Sequence, residues 1–386
     1  MSSNRIYLDH NATSPLRPEA RAAMLAAMEG PGNASAVHAE GRAAKGVLEQ
    51  ARATIAKGLG TAARNVTFTS GATEAATLVL SPMLHRGKEG GPIEVALLGA
   101  GEHPAVLQGG RFAAGAIERV AFTPEGALSL PALEAALARH AGRRLMLALQ
   151  AVNNETGVIQ PVREAAARVH AAGGLVVCDA TQAIGRIETT FTTTQSDFLF
   201  FSSHKLGGPA GAGALAAAQD DLHIGETLLR GGGQEFGRRA GTENVPAIAG
   251  FAAAFEAALT SREAETARLG PLRDRLEERV AAIAPQARFF GRGSPRAACV
   301  SAFAIPGMPA HTLLMALDLS GVAVSSGSAC SSGKVRESHV LAAMGAQEKE
   351  ALRVSLGWST RDEDVKQFGM VLAEVVDRIR SRRSVA

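Results

Sequence analysis

One short apolar run of this chain ends in a lysine. Phe198-Leu199-Phe200-Phe201 reads as a buried strand, and it stops at Ser202-Ser203-His204-Lys205 with Gly207-Gly208 beyond. An amine at the mouth of a buried strand, beside small hydroxyls and a histidine, is partly desolvated. It then loses its proton more easily and can form a Schiff base with an aldehyde. The same residues also describe a strand closed by an ordinary solvated lysine, so other positions have to decide. Lysines are scarce here, seven against thirty-three arginines, and Lys205 is the only one between Lys88 and Lys334.

Four more strand ends carry residues able to do chemistry. After Asn65–Ser70 comes Gly71-Ala72-Thr73-Glu74, a glycine opening a helix, whose first amides suit a phosphate; a plain cap by Ser70 or Thr73 is the alternative. Glu102-His103-Pro104 places an imidazole where it can stack on a flat ligand or move a proton, or simply sit on the surface. Asn153-Asn154 offer amide donors to a carboxylate, or only a turn. Asp179 follows an apolar run and needs a cationic partner, which a pyridinium nitrogen or one of the arginines can be; Gln182 lies three residues on. A phosphate turn, a ring-facing histidine, an aspartate and a lysine together describe a pyridoxal phosphate site.

The elements that position them alternate. Strands are expected over 65–71, 93–99, 116–122, 144–150, 174–180 and 197–203, with helices at 104–114, 130–139 and 161–172 between. That order predicts an α/β fold, a mostly parallel sheet with helices on both faces and ligands at the strands' carboxyl ends. An alanine-rich helix is expected over 244–259. A smaller α+β domain follows, with strands near 299–304, 322–325 and 351–355. The expected division is a large domain over 15–260 and a small one over 261–386, joined by 1–14.

Composition narrows the function classes. At 386 residues two domains are expected. A net charge of +3 spread along the chain, with one Trp and one Tyr, leaves no nucleic-acid footprint. Three cysteines without close pairing give neither a disulfide framework nor a zinc site. No apolar run reaches the roughly 20 residues that span a bilayer, so no membrane and a reducing cytoplasmic setting are expected. The arginine-rich end, DRIRSRRSVA, reads as a fraying helix end or a dock for an acidic partner.

Read together, YLDHNATSP (7–15), GNASAVHAEGR (32–42), SGATEA (70–75), EHPAVL (102–107), VNNETGVIQPV (152–162), DATQAIG (179–185), SSHK (202–205), GGGQEFGRRAGTENVPAIAG (231–250) and SSGSACSSG (325–333) resemble the cysteine desulfurases. These are the NifS/IscS-like branch of the class V aminotransferase-like, fold-type I pyridoxal phosphate enzymes. The resemblance implies that Lys205 is the Schiff-base lysine, Asp179 pairs with the pyridine nitrogen, Gln182 bonds the phenolic oxygen and His103 stacks on the ring. It implies that Thr73, Ser202, His204 and the Ala72–Thr73 backbone hold the phosphate, and that Thr242 reaches the phosphate of a second subunit in a homodimer. Asn154 and Arg353 then hold the substrate carboxylate, a bidentate task suited to a planar guanidinium.

Cys330 discriminates within the family. It lies in a serine- and glycine-rich run for which a mobile loop is expected, whereas Cys178 and Cys299 sit in apolar runs and read as core. The implied reaction converts L-cysteine to L-alanine: Lys205 removes the α-proton, His103 shuttles a proton, and the Cys330 thiolate takes the sulfur as a persulfide for an acceptor protein. An iron–sulfur scaffold or a thiolation pathway is the expected acceptor. A class V aminotransferase or a selenocysteine lyase needs the same lysine and aspartate, and a non-catalytic phosphate-binding scaffold needs neither. Departures from the family pattern are Ala210, where relatives carry a lysine, Ala76-Thr77 in place of two asparagines, and the charged Lys334-Val335-Arg336-Glu337.

Overall fold

The computed structural model describes residues 5–87, 91–327 and 337–384. Strand β1 (Ile6–Tyr7) precedes helices α1 (Pro18–Ala27) and α2 (Ala39–Leu59). Then come β2 (Val66–Thr69), α3 (Ala72–Val79), β3 (Leu84–Arg86), β4 (Val95–Gly99), α4 (Pro104–Leu107) and β5 (Ile117–Val120). They are followed by α5 (Leu130–Arg139), β6 (Leu145–Gln150), α6 (Val162–Ala171), β7 (Leu175–Asp179) and α7 (Phe191–Thr194). Next are β8 (Phe198–Ser202), β9 (Gly213–Ala217), β10 (Leu222–Ile224) and the long α8 (Val245–Ile283). The chain closes with β11 (Arg288–Phe289), β12 (Val300–Ala304), α9 (Ala310–Leu319), β13 (Val322–Ala323), β14 (Ser325–Ser326), α10 (His339–Ala343), β15 (Leu352–Ser355) and α11 (Asp362–Ser384).

Seven strands form the central sheet in the order β2-β9-β8-β7-β6-β4-β5. All neighbours are parallel except β9, which runs antiparallel to both β2 and β8. Both faces are buried, and successive residues feed opposite cores. Leu97, Leu147, Cys178, Leu199 and Phe201 pack on one side; Leu98, Met146, Val177, Phe198 and Phe200 pack on the other. Two-sided burial is why these strands read as unbroken apolar runs rather than alternating ones. The second sheet is antiparallel in the order β11-β12-β15-β14, and the N-terminal segment reaches it through the bridge from Asp9 to Ser355, while β1 pairs with β13 in a separate two-stranded parallel sheet.

Two elements differ from the sequence expectation. The helix after His103 covers only Pro104–Leu107, because Gly109 and Gly110 adopt φ of +73° and +56°. Side chains there would collide with Ile117 and with the Leu80 carbonyl, so the backbone must turn. The helix expected over 244–259 runs on to Ile283. Its charged stretch is a change of surroundings, not an end, since Leu269, Leu272, Leu276 and Val280 keep one buried face. Among the described residues no helix is long and apolar enough to cross a membrane, and no group of His, Cys, Asp and Glu is arranged to hold a metal ion.

Candidate active site

The carboxyl ends of β6, β7 and β8 lie side by side, with Gln150 opposite Asp179 and Asp179 opposite Phe200. Over them opens a cavity of about 480 Å³, within the range of small-ligand sites. Ten positions expected from the sequence line it: Ala72, Thr73, His103, Asn154, Asp179, Gln182, Ser202, His204, Lys205 and Arg353.

Lys205 is half-buried, and its Nζ donates to the carbonyls of Asn11 at 2.7 Å and Ala12 at 2.8 Å. The N-terminal segment therefore holds the amine at the cavity wall. Asp179 is buried, and its Oδ1 accepts from the Thr181 amide at 2.9 Å. Burial raises the pKa of its carboxyl, the Thr181 hydrogen bonds and nearby Lys205 oppose the rise, and the balance stays upward. A carboxyl so placed gains from a cation in the cavity. His103 caps α4, with Nδ1 accepting from the Ala105 amide at 3.1 Å. That bond leaves the imidazole proton on Nε2. Burial, followed by Lys205 and His339, pushes the His103 pKa down to about 4, so the ring is neutral at neutral pH.

At the opposite edge, α3 begins at Gly71 without a side-chain cap, so neither Ser70 nor Thr73 occupies its first amides in that way. The turn is pressed onto β9: a Cβ on Gly213 would lie 2.6 Å from the Gly71 Cα, which only glycine allows. Ser202, the last residue of β8, and His204 face the same end. Burial and then Lys205 lower the His204 pKa to about 4. Arg239 clamps Glu74 at 3.0 Å, tying the turn to the glycine-rich segment that carries Thr242. Thr242 itself is exposed and does not line the cavity within this chain.

The third edge is cationic. Arg353 is buried, donating from one terminal nitrogen to the Asn154 carbonyl at 3.1 Å and from the other to Asp9 at 2.9 Å. Its Nε has no hydrogen-bond partner among the described residues, nor do Asn154 Oδ1, Gln182 Oε1 and Thr181 Oγ1, all on cavity-lining residues. Buried polar atoms are normally satisfied, so this cluster marks a place shaped for a polar ligand. Cys330 lies outside the described residues. Cys178 and Cys299 are core residues, as expected, and burial holds the Cys178 thiol well above its usual range.

Residue-type reasoning missed several participants. Asn11 joins the site's parts: its carbonyl accepts from Lys205 and from Gln182 Nε2, its amide nitrogen Nδ2 donates to the Asn154 carbonyl, and its Oδ1 accepts from Arg186. Glu102 is fully buried beside His103; burial, with Asp179 adding, raises its pKa well above the usual carboxyl range. Asn11 lies in the motif YLDHNATSP, a polar run directly after Tyr7-Leu8, but distance along the chain hid its partners.

The chain matches the aminotransferase class-V family over residues 6–368. It is 37% identical to a cysteine desulfurase of Cereibacter sphaeroides, over 98% of this chain and 97% of that one. It is also 37% identical to an IscS-like cysteine desulfurase of Mycobacterium tuberculosis, over 97% of each. A NifS-like protein from Rickettsia africae superposes with a TM-score of 0.85 at 29% identity, covering 97% of this chain and 100% of the other. The apo cysteine desulfurase of Thermococcus onnurineus gives 0.82 at 25%, covering 97% and 95%. Enzymes of this family generally use pyridoxal phosphate. The chain belongs to the aminotransferase class-V family and, within it, to the cysteine desulfurases of the NifS/IscS kind.

Proposed function

We propose that the chain is a pyridoxal phosphate-dependent cysteine desulfurase that converts L-cysteine to L-alanine and receives the sulfur on Cys330. The observation that carries this reading is the convergence of Lys205, Asp179, His103 and Arg353 on one cavity lined by buried polar atoms lacking partners. The lining fits the cofactor: a buried carboxyl for a pyridinium, uncapped amides at Ala72 and Thr73 for a phosphate, and an amine between them. Asp179 would pair with the ring nitrogen and keep it protonated, Gln182 would bond the phenolic oxygen, and Thr73, Ser202 and His204 would complete the phosphate seat. Bound pyridoxal phosphate supplies an electron sink for the substrate's α-carbon.

The chain's own groups do the rest. Arg353 and Asn154 fix the substrate carboxylate, which orients the α-proton toward Lys205. Lys205 Nζ accepts that proton and later returns one to the carbon skeleton. His103 keeps a proton on Nε2 at neutral pH, ready for transfer near the substrate sulfur. The Cys330 thiolate attacks that sulfur: an S–S bond forms, the C–S bond breaks, and its electron pair stays on the carbon that becomes the methyl group of L-alanine. The persulfide is then passed to an acceptor protein, such as an iron–sulfur scaffold, in the cytoplasm.

A homodimer, with Thr242 completing the partner subunit's phosphate seat, and a division into a large domain over 15–260 and a small one over 261–386 with 1–14 belong to the same proposal. The exposed Val37 and Phe236 support it as apolar surface close to the glycine-rich segment. The test is alanine release from L-cysteine by the loaded protein, with and without Cys330→Ser. Wild type is expected to release alanine and the variant to lose that release. Full turnover by the variant contradicts sulfur transfer and favours a transaminase.

A further inference from the structure

We propose that Glu155 is a positioning residue for sulfur transfer, its buried carboxyl seating Gly327 and Ser338, which stand on either side of residues 328–336 and so of Cys330. The inference rests on the desulfurase reading above. It deepens that reading by assigning a residue that touches neither cofactor nor substrate.

Two contacts carry it. On the upstream side, Gly327 packs directly on the carboxyl: a Cβ there would lie 2.1 Å from Glu155 Oε2 and 2.7 Å from its Cδ. On the downstream side, the Ser338 hydroxyl donates to the same Oε2 at 2.5 Å while accepting from the Leu341 amide at the start of α10. One oxygen thus meets both Gly327 and Ser338. Backbone bonds hold the two roots as well, from Gly327 to the Ala351 carbonyl at 3.3 Å and from Ser338 to the Lys349 carbonyl at 2.7 Å.

The seat is tied to the substrate end of the cavity. Glu155 follows Asn154, and its backbone amide donates to Asn153 Oδ1 at 2.9 Å, as does that of Thr156. Asn153 in turn donates to the Gly101 carbonyl, beside Glu102 and His103. Gly327 directly follows β14, whose Ser325 stands opposite Arg353 on β15. A shift of the carboxyl therefore moves the roots of the thiol segment relative to Arg353 and Asn154. The chemistry at the α-carbon, made by Lys205 and the cofactor, is left in place.

The test separates those two halves in the full-length holoenzyme. Exchange of the α-proton of L-alanine with deuterated water reports the α-carbon chemistry, and needs no thiol. Sulfur gained by Cys330 in a single turnover with L-cysteine, read by mass, reports transfer. Ser338→Ala and Gly327→Ala are expected to keep proton exchange within about twofold and to slow transfer about tenfold, the scale of one buried charge-assisted hydrogen bond. Ser338→Thr, which keeps the hydroxyl, restores transfer. Combining Ser338→Ala with Glu155→Gln is expected to be no slower than the slower single variant, because the two act through one contact. In the cofactor-free protein, Ser338→Ala is expected to speed amide exchange at Gly327 and Ser338. Wild-type transfer rates in both Ser338→Ala and Gly327→Ala, or equal losses of proton exchange and transfer, overturn the inference. A wild type that exchanges the proton of L-alanine but places no sulfur on Cys330 overturns the desulfurase reading, and this inference with it.

Discussion

Arg353 meets the cavity with two of its three nitrogens engaged, one by Asp9 and one by the Asn154 carbonyl. Those bonds orient the guanidinium, and its buried Nε has no hydrogen-bond partner among the described residues. A lysine keeps the charge but not the planar fork, so it cannot serve Asp9, Asn154 and a carboxylate together. Arg353→Lys is expected to raise KM for L-cysteine about 10- to 100-fold, with a smaller change in kcat, by steady-state kinetics. His10 sits behind the same segment, under Gly357, where a Cβ would fall 2.1 Å from Nδ1. Burial, then Arg186, Arg17 and Arg268, lowers its pKa from 6.5 to about 3. The unfolded chain therefore binds a proton at His10 below pH 6.5 that the folded one refuses until about pH 3. Wild type is expected to lose stability relative to His10→Gln as pH falls through that window, measured by urea unfolding at successive pH values. A constant difference would mean that His10 is not held neutral.

Among the elements, the contact between β9 and the turn before α3 sets where the first amides of α3 lie, the end proposed for the phosphate. Gly213→Ala would force a methyl group into the Gly71 backbone. Overpacking of that kind costs about 1–3 kcal/mol, and here it moves the amides of Ala72 and Thr73. Weaker retention of pyridoxal phosphate on dialysis, together with a lower Tm, is the expected outcome; unchanged retention would separate the turn from the cofactor. The parallel strands were legible because two-sided burial writes itself as a continuous apolar run. β9 was not, because Gly-Ala-Leu-Ala-Ala has no strand-like bulk and follows a glycine-rich stretch. The end of the helix after His103 was hidden too, since what stops it is contact with Ile117 and Leu80, remote in sequence or on another element.

At the scale of the whole molecule, the site is assembled from distant parts of the chain. Residues 9–12 return along the second sheet to reach Lys205 and Arg353; Asn153–Glu155 links His103 to the roots of the Cys330 segment; and β7 and β8 bring Asp179 and Lys205 together. Residue types at strand ends announced part of the cavity's lining, because parallel sheets gather such ends on one edge. They could not announce Asn11 or Glu155, whose work consists of bonds made across 143 to 194 positions of chain. The account depends on an amine at this convergence that captures an aldehyde. Loading the protein with pyridoxal phosphate, reducing it with borohydride and mapping the modified lysine by peptide mass tests that directly. A phosphopyridoxyl group on Lys205, and on none of the other six lysines, is the result expected. Modification elsewhere, or none, would contradict it.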